Sequence, residues 1–231
     1  MIFLFDVDGT LTPSRKPIER KFKEFFTQWV ASEQIHGNKV YLVTGSDKDK
    51  TTEQIGKALW EKVDGSYQNC GNQLYIKGEL IEDSHWRLPD DLMWDIIKIL
   101  STSPWYGRAK GNMEMRSGML NISTIGRLCT ASERAEYCEW DKENDERKSI
   151  AGQLKRMYPK IEFSIGGEIS IDVYPEGKDK SQVLSDMDGD TVFFGDRCEE
   201  GGNDYSLSNA CTKYYNVVNW KETMSILETI N

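Results

Sequence analysis

Two aspartates spaced two positions apart, Asp6 and Asp8, close the apolar run Ile2-Phe3-Leu4-Phe5 and lead into Gly9, Thr10, Leu11 and Thr12. Side chains at i and i+2 of an extended backbone project to the same side, so this spacing predicts a carboxylate pair leaving a strand end. Gly9 permits a sharp turn or the close approach of a ligand, and Thr10 adds a hydroxyl and a backbone N–H. Two carboxylates this close repel one another unless a cation or a shared proton separates them. A hard divalent cation such as Mg2+, which prefers oxygen ligands, meets that need. With a phosphate bound as well, one aspartate can act as nucleophile and its neighbour as general acid/base.

The same device recurs. Val40 to Val43 is a second apolar run, followed by Thr44-Gly45-Ser46-Asp47, and Val192-Phe193-Phe194-Gly195 ends in Asp196 with Gly201-Gly202-Asn203-Asp204 beyond it. Ser46 offers a hydroxyl donor, and Lys178 or Lys180 an ammonium. Such groups hold the oxygens of a transferring phosphoryl group and offset its charge. Spacing alone leaves the choice between the two lysines open. Farther into the chain, Arg116, Arg127 and Arg134 fall within nineteen residues. Guanidinium makes bidentate, charge-assisted contacts with phosphate. In Ile169-Ser170-Ile171-Asp172-Val173-Tyr174 the alternation puts Ser170, Asp172 and Tyr174 on one face of a strand, a polar set suited to sugar hydroxyls.

The elements that must position these groups can be read from periodicity. Residues 2–5 read as a buried strand. Ile18, Phe22, Phe25, Phe26, Trp29 and Val30 mark one face of a helix to about residue 35. A helix carrying Ile55, Ala58 and Leu59 comes after the second strand. Strand alternating with helix predicts an α/β fold, a parallel sheet covered on both faces, with ligands beyond the carboxyl ends of its strands. From about 82 to 175 the texture changes. A helix holds Leu92, Met93, Ile96, Ile97 and Leu100, a charged helix spans about 132–157, and alternating strands lie near 113–123 and 162–174. Thr130 to Glu133 has capping-box spacing, which puts Arg134 in the first turn of its helix. Antiparallel strands with helices on one face predict an inserted α+β domain at 82–176, between a first core segment, 1–81, and a second, 177–231.

Bulk properties narrow the functions. A chain of 231 residues, 38% hydrophobic and 29% charged, is long enough for one large domain or two modest ones. A net charge of −9 argues against a nucleic-acid surface. Five scattered cysteines without a CxxC read as reduced thiols of a cytosolic protein. No signal peptide and no membrane-spanning stretch is expected. No Gly-x-x-x-x-Gly-Lys-Ser/Thr loop is present, which disfavours kinase chemistry of that type. With only His36 and His85, no Ser-His-Asp machinery is credible.

Asp6-Val7-Asp8-Gly9-Thr10 resembles the first motif of the haloacid-dehalogenase-type phosphotransferases, and the order of the later segments fits that family. The resemblance narrows to the eukaryotic-type phosphomannomutases. It rests on the Asp-Val-Asp-Gly-Thr-Leu-Thr-Pro start with Arg15 and on Arg-x-Gly-Met-Leu-Asn-x-Ser-x-Ile-Gly-Arg from Arg116. Ser-Ile-Gly-Gly-x-Ile-Ser-x-Asp-Val-x-Pro and Phe-Phe-Gly-Asp…Gly-Gly-Asn-Asp-Tyr complete it. Asn69-Cys70-Gly71-Asn72, Ser117, Thr124 and Lys178 depart from the family pattern without removing a catalytic group. The resemblance implies a Rossmann-like core with an inserted cap that dimerises. It implies Asp6 as the phosphorylated nucleophile and Asp8 as general acid/base, with Ser46 and Lys180 as phosphoryl-binding groups. Mg2+ would be held by Asp6, Asp196 and the backbone carbonyl of Asp8, supported by Asn203 and Asp204. Arg15, Arg116, Arg127 and Arg134 would take phosphate, with Ser170 and Asp172 at the sugar.

The function this resemblance implies is that of a cytoplasmic enzyme of GDP-mannose supply. It would interconvert mannose 6-phosphate and mannose 1-phosphate, with a sugar 1,6-bisphosphate as intermediate and activator. The alternatives are a sugar-phosphate phosphatase of the same superfamily and a non-catalytic sugar-phosphate-binding protein. Cap and core are expected to open and close about hinges near 80–84 and 174–180, where Pro175 and Gly177 lie.

Overall fold

A computed structural model describes residues 1–230 and divides the chain into two units, Met1–Ser84 with the segment from Gly177 on, and His85–Glu176. The first unit begins with β1 (Ile2–Phe5), α1 (Arg20–Ile35), β2 (Lys39–Val43), α2 (Lys48–Ile55), α3 (Lys57–Lys62), β3 (Gly65–Gln68), β4 (Gln73–Ile76) and β5 (Glu79–Asp83). After the second unit it resumes with β10 (Thr191–Gly195), α7 (Tyr205–Ala210), β11 (Lys213–Asn216) and α8 (Trp220–Leu227). Its seven strands lie in the order β11-β10-β1-β2-β3-β4-β5, parallel as far as β3 and antiparallel at β4 and β5.

β1 is central, so both faces are covered and all four of its residues are buried. Phe3 and Phe5 face Phe22, Phe26 and Trp29 of α1, whereas Ile2 and Leu4 join Phe193, Val183 and Leu207 on the other side. Each such side chain contributes about 1.5–3 kcal/mol on burial. The α1 N-cap, Glu19, makes no side-chain capping bond, so packing of the aromatic face fixes this helix. Phe5 is in register with Phe194 on one side and Leu42 on the other. The residues just beyond these three strands therefore emerge at one sheet edge.

The second unit comprises α4 (Asp90–Ser101), β6 (Met113–Arg116), β7 (Met119–Ile122), α5 (Ala131–Asn144), α6 (Glu146–Met157), β8 (Ile161–Gly166) and β9 (Ser170–Pro175). Its antiparallel sheet runs β6-β7-β9-β8. Leu120, Ile122, Phe163, Ile171 and Val173 pack against Leu92, Ile96 and Leu100 of α4 and Ile150 and Leu154 of α6. The other face carries a cross-strand polar row, Glu114–Asn121–Asp172–Ser164.

Three expectations need correcting. The chain leaves the first unit after Ser84 rather than after residue 81, because β5 pairs with β4 in the larger sheet. The charged segment at 132–157 is two helices, since Asp145 adopts a left-handed conformation (φ 49°) between α5 and α6. The helix after Ser46 is likewise broken in two at Gly56, φ 81°.

Candidate active site

Asp6 comes directly after β1 and donates its backbone N–H to the Phe194 carbonyl at 2.9 Å, which anchors it beside the end of β10. Lys180 Nζ donates to Asp6 Oδ1 and to Asp204 Oδ1, both at 2.6 Å. Lys180 is wholly buried, at the start of a 3-10 turn capped by the Asp179 side chain, whereas Lys178 is exposed. Asp204, also wholly buried, accepts from the Arg197 backbone N–H at 3.2 Å as the chain turns into α7. Asn203 is half-buried in the same turn.

Oxygens of Asp6, Asp196 and Asp204 all lie within 4.8 Å of one another. Gly9 makes room for this cluster. Its φ is 86°, and a Cβ there would stand 2.3 Å from Asp196 Oδ2. Burial pushes the Asp6 carboxyl well above the usual carboxylate range, and the charges of Asp204 and Asp196 add to this against the pull of Lys180. Burial and the Asp204 charge raise Asp196 to about 7. Lys180 stays protonated. Burial opposes its charge, but Asp204 and Asp6 outweigh that effect. One ammonium does not offset three carboxylates, so the cluster retains a proton that a divalent cation can replace. An all-oxygen donor set of this charge fits Mg2+.

Asp8 has different partners. Its Oδ1 accepts from the Arg15 backbone N–H at 2.7 Å and from Gln54 Nε2 at 2.8 Å, and its Oδ2 is ion-paired with Lys50. Lys50 Nζ also donates to Ser46 Oγ at 2.9 Å, joining the second strand end to Asp8. Burial works to raise the Asp8 carboxyl, but Lys50 and the Arg15 and Gln54 bonds outweigh it and hold it below the usual range. The two carboxylates expected as a pair are thus divided between two ammonium groups, and Asp204 rather than Asp8 completes the carboxylate cluster. Arg15, with φ 57°, belongs to this unit through its backbone bond to Asp8, apart in the chain from the three other arginines.

Those three lie in the second unit. Arg116 Nη2 donates to Glu114 Oε2 at 2.9 Å, and Arg127 Nε is ion-paired with the same oxygen. Arg127 Nη1 donates to Asn121 Oδ1 at 2.8 Å, and Asn121 Nδ2 donates to Asp172 Oδ1 at 2.5 Å. One network thus runs from both arginines to Asp172. Ser170 and Asp172 are buried on β9. Arg134 is placed by α5, whose start is fixed by the Thr130–Glu133 capping box and whose Tyr137 packs with Trp105, Ile125 and Ile169. Its Nη1 lies 3.7 Å from Glu168 Oε2.

Sequence reasoning missed Lys50, Gln54, Glu114 and Asn121. Two of them carried a readable signal. Lys50 is four residues after Ser46, and Glu114 is two before Arg116 on one strand, each spacing that places two side chains on one face.

A solved HAD-superfamily sugar phosphatase of subclass IIB superposes on 99% of this chain and 99% of its own, with a TM-score of 0.59 at 14% identity. The chain therefore shares the fold of that phosphatase. Mouse (Mus musculus) phosphomannomutase 1 is 36% identical over 97% of this chain and 89% of its own. The Saccharomyces cerevisiae phosphomannomutase is 36% identical over 89% and 84%. The profile of the family described as eukaryotic phosphomannomutase matches residues 28–231. The chain belongs to the eukaryotic phosphomannomutase family, a family of enzymes. Among the described residues, no helix is long and apolar enough to cross a membrane.

Proposed function

We propose that the chain interconverts mannose 6-phosphate and mannose 1-phosphate through a phosphorylated Asp6 and a mannose 1,6-bisphosphate. The observation that carries this reading is the presence of two separate anion-handling clusters. One is Asp6 with Lys180 at the end of β1, and the other is the arginine network around Glu114 in the second unit. A phosphatase needs only the first. A mutase must transfer one phosphoryl group while it grips another.

Starting from phosphorylated Asp6, the sugar hydroxyl attacks phosphorus, its proton passes to Asp8, and the bond from phosphorus to Asp6 breaks. Asp8 suits the base role because Lys50 and its other partners keep it ionised. The bisphosphate then turns end for end. Asp6, oriented by the Lys180 bond to Oδ1, attacks the other phosphoryl group, and Asp8 returns its proton to the departing sugar oxygen. Ser46 and Lys180 hold phosphoryl oxygens. Arg15 serves the core phosphate, while Arg116, Arg127 and Arg134 serve the distal one, and Ser170 and Asp172 bind sugar hydroxyls. Asp6 and Asp196, with Asp204 and Asn203 in support and the Asp8 carbonyl contributing, would hold Mg2+, which would supply positive charge to the phosphoryl oxygens. The first unit is then the catalytic core and the second the cap, which also pairs two copies in a cytoplasmic homodimer of GDP-mannose supply.

The test is incubation with mannose 1-phosphate, Mg2+ and a trace of 1,6-bisphosphate. Formation of mannose 6-phosphate with little free phosphate supports the mutase. Stoichiometric phosphate release without isomerised sugar replaces it with the phosphatase reading.

A further inference from the structure

The carboxylate between the two arginines of the second unit is the least expected member of that site. An anion pocket built for affinity alone would leave both guanidinium forks to the ligand. Here Glu114 Oε2 accepts from Arg116 Nη2 at 2.9 Å and pairs with Arg127 as well, although the three side chains are only 37%, 10% and 20% exposed for Glu114, Arg116 and Arg127. Glu114 sits directly opposite Asn121 across β6–β7, and Asn121 takes the second arm of Arg127 and passes the chain of bonds to Asp172. The carboxylate is therefore placed by strand register, on the polar face of a sheet whose other face is packed on α4 and α6.

We propose that Glu114 is a positioning and affinity-setting residue for the distal phosphate. This rests on the reading that Arg116 and Arg127 bind that phosphate. Glu114 fixes the spacing of the two guanidiniums through one shared oxygen and cancels one of their two charges. A phosphate dianion on two half-buried arginines is held firmly. A bisphosphate that must let go and present its other end needs a weaker grip. The fixed negative charge beside the arginines supplies that weakening by like-charge repulsion, while the arginine geometry, and through Asn121 the Asp172 side chain, stays in place. Arg134 with Glu168 repeats the pairing of arginine with carboxylate at longer range, 3.7 Å.

The test compares Glu114→Gln, which keeps an oxygen acceptor and removes the charge, with Glu114→Ala, which removes both. Mannose 6-phosphate binding is measured by calorimetry in an Asp6→Asn background, so that no turnover intervenes, with Arg116→Ala as reference. Removing one unit charge several ångströms from a dianion in a screened, half-exposed site is expected to tighten binding in Glu114→Gln about tenfold. With Asp6 restored, KM falls and kcat falls with it. Glu114→Ala binds more weakly than wild type because the arginine spacing is lost. A purely structural role would not tighten binding in either variant. Unchanged or weaker binding in Glu114→Gln, with Arg116→Ala still weakened, overturns the role of Glu114 alone. Binding indifferent to both Arg116→Ala and Glu114→Gln overturns the arginine assignment beneath it as well.

Discussion

Lys180→Met removes the single ammonium buried among the carboxylates of the first unit and leaves a side chain of similar length. Lys180 is 0% exposed, and its two bonds of 2.6 Å go to Asp6 and Asp204, themselves 4% and 0% exposed. Deleting one partner of a buried charge cluster costs about 3–5 kcal/mol, because the remaining charge is stranded in low dielectric. For a protein of this size each kcal/mol lowers the melting temperature by about 2–4 °C. The metal-free variant should therefore melt roughly 6–20 °C below wild type. The carboxylates can relieve part of this by holding protons, so the loss should be larger at pH 8 than at pH 6. Saturating Mg2+ restores positive charge to the same cluster, so it should raise the melting temperature of the variant more than that of wild type. Differential scanning calorimetry in EDTA and in Mg2+ measures all three effects. A metal-free melting temperature within about 2 °C of wild type at pH 8, less than one kcal/mol by the same conversion, would refute the reasoning.

The same geometry carries other expectations. In EDTA the folded state keeps a proton on Asp196 up to pH about 7, which the unfolded chain loses near the ordinary value of 3.8. That contribution to stability is fully present below about pH 4 and is lost as pH rises through about 7. Thermal unfolding across this range should show the decline in EDTA and a flatter profile in Mg2+. Asp8→Asn removes the proposed proton carrier without touching Lys180, so kcat should fall about 10²–10⁴-fold while mannose 6-phosphate binding by calorimetry changes little. Gly9→Ala combines a φ of 86° with a Cβ placed 2.3 Å from Asp196 Oδ2. It should lower stability by about 1–2 kcal/mol for the left-handed backbone and weaken Mg2+ binding, read by metal titration of the melting temperature.

The core was legible because its signals are local. Ile2 to Phe5, Val40 to Val43 and Val192 to Phe194 are continuous apolar runs, each leading into an acid or a hydroxyl. A parallel sheet converts that pattern into one row of strand ends. The apolar rows of the smaller sheet were legible for the same reason, and the spacing of Thr130 and Glu133 marks the start of α5. The breaks at Gly56 and Asp145 were not legible, since Ile55, Ala58 and Leu59 keep a helical spacing across the first, while the second falls in an unbroken polar run between Trp140 and Ile150 where only backbone conformation interrupts the helix. Nor did sequence reveal that Asp6 and Asp8 part company. That depends on which ammonium reaches which carboxylate, and Lys180 and Lys50 arrive from segments distant in the chain. Glu114 was overlooked because a carboxylate next to an arginine on a strand reads as an ordinary surface pair, until Arg127 is brought to the same oxygen.

The central claim is that Asp6 carries the phosphoryl group between the two ends of the sugar. It is tested most directly by brief exposure to phosphorus-labelled mannose 1,6-bisphosphate, reductive trapping of acyl phosphate and mass spectrometry of the peptide containing residues 1–15. The account expects the trapped modification on Asp6, formed in Mg2+ and absent from Asp6→Asn. The trapped modification on another residue, or isomerised sugar with no trapped acyl phosphate at Asp6 in wild type, would contradict it.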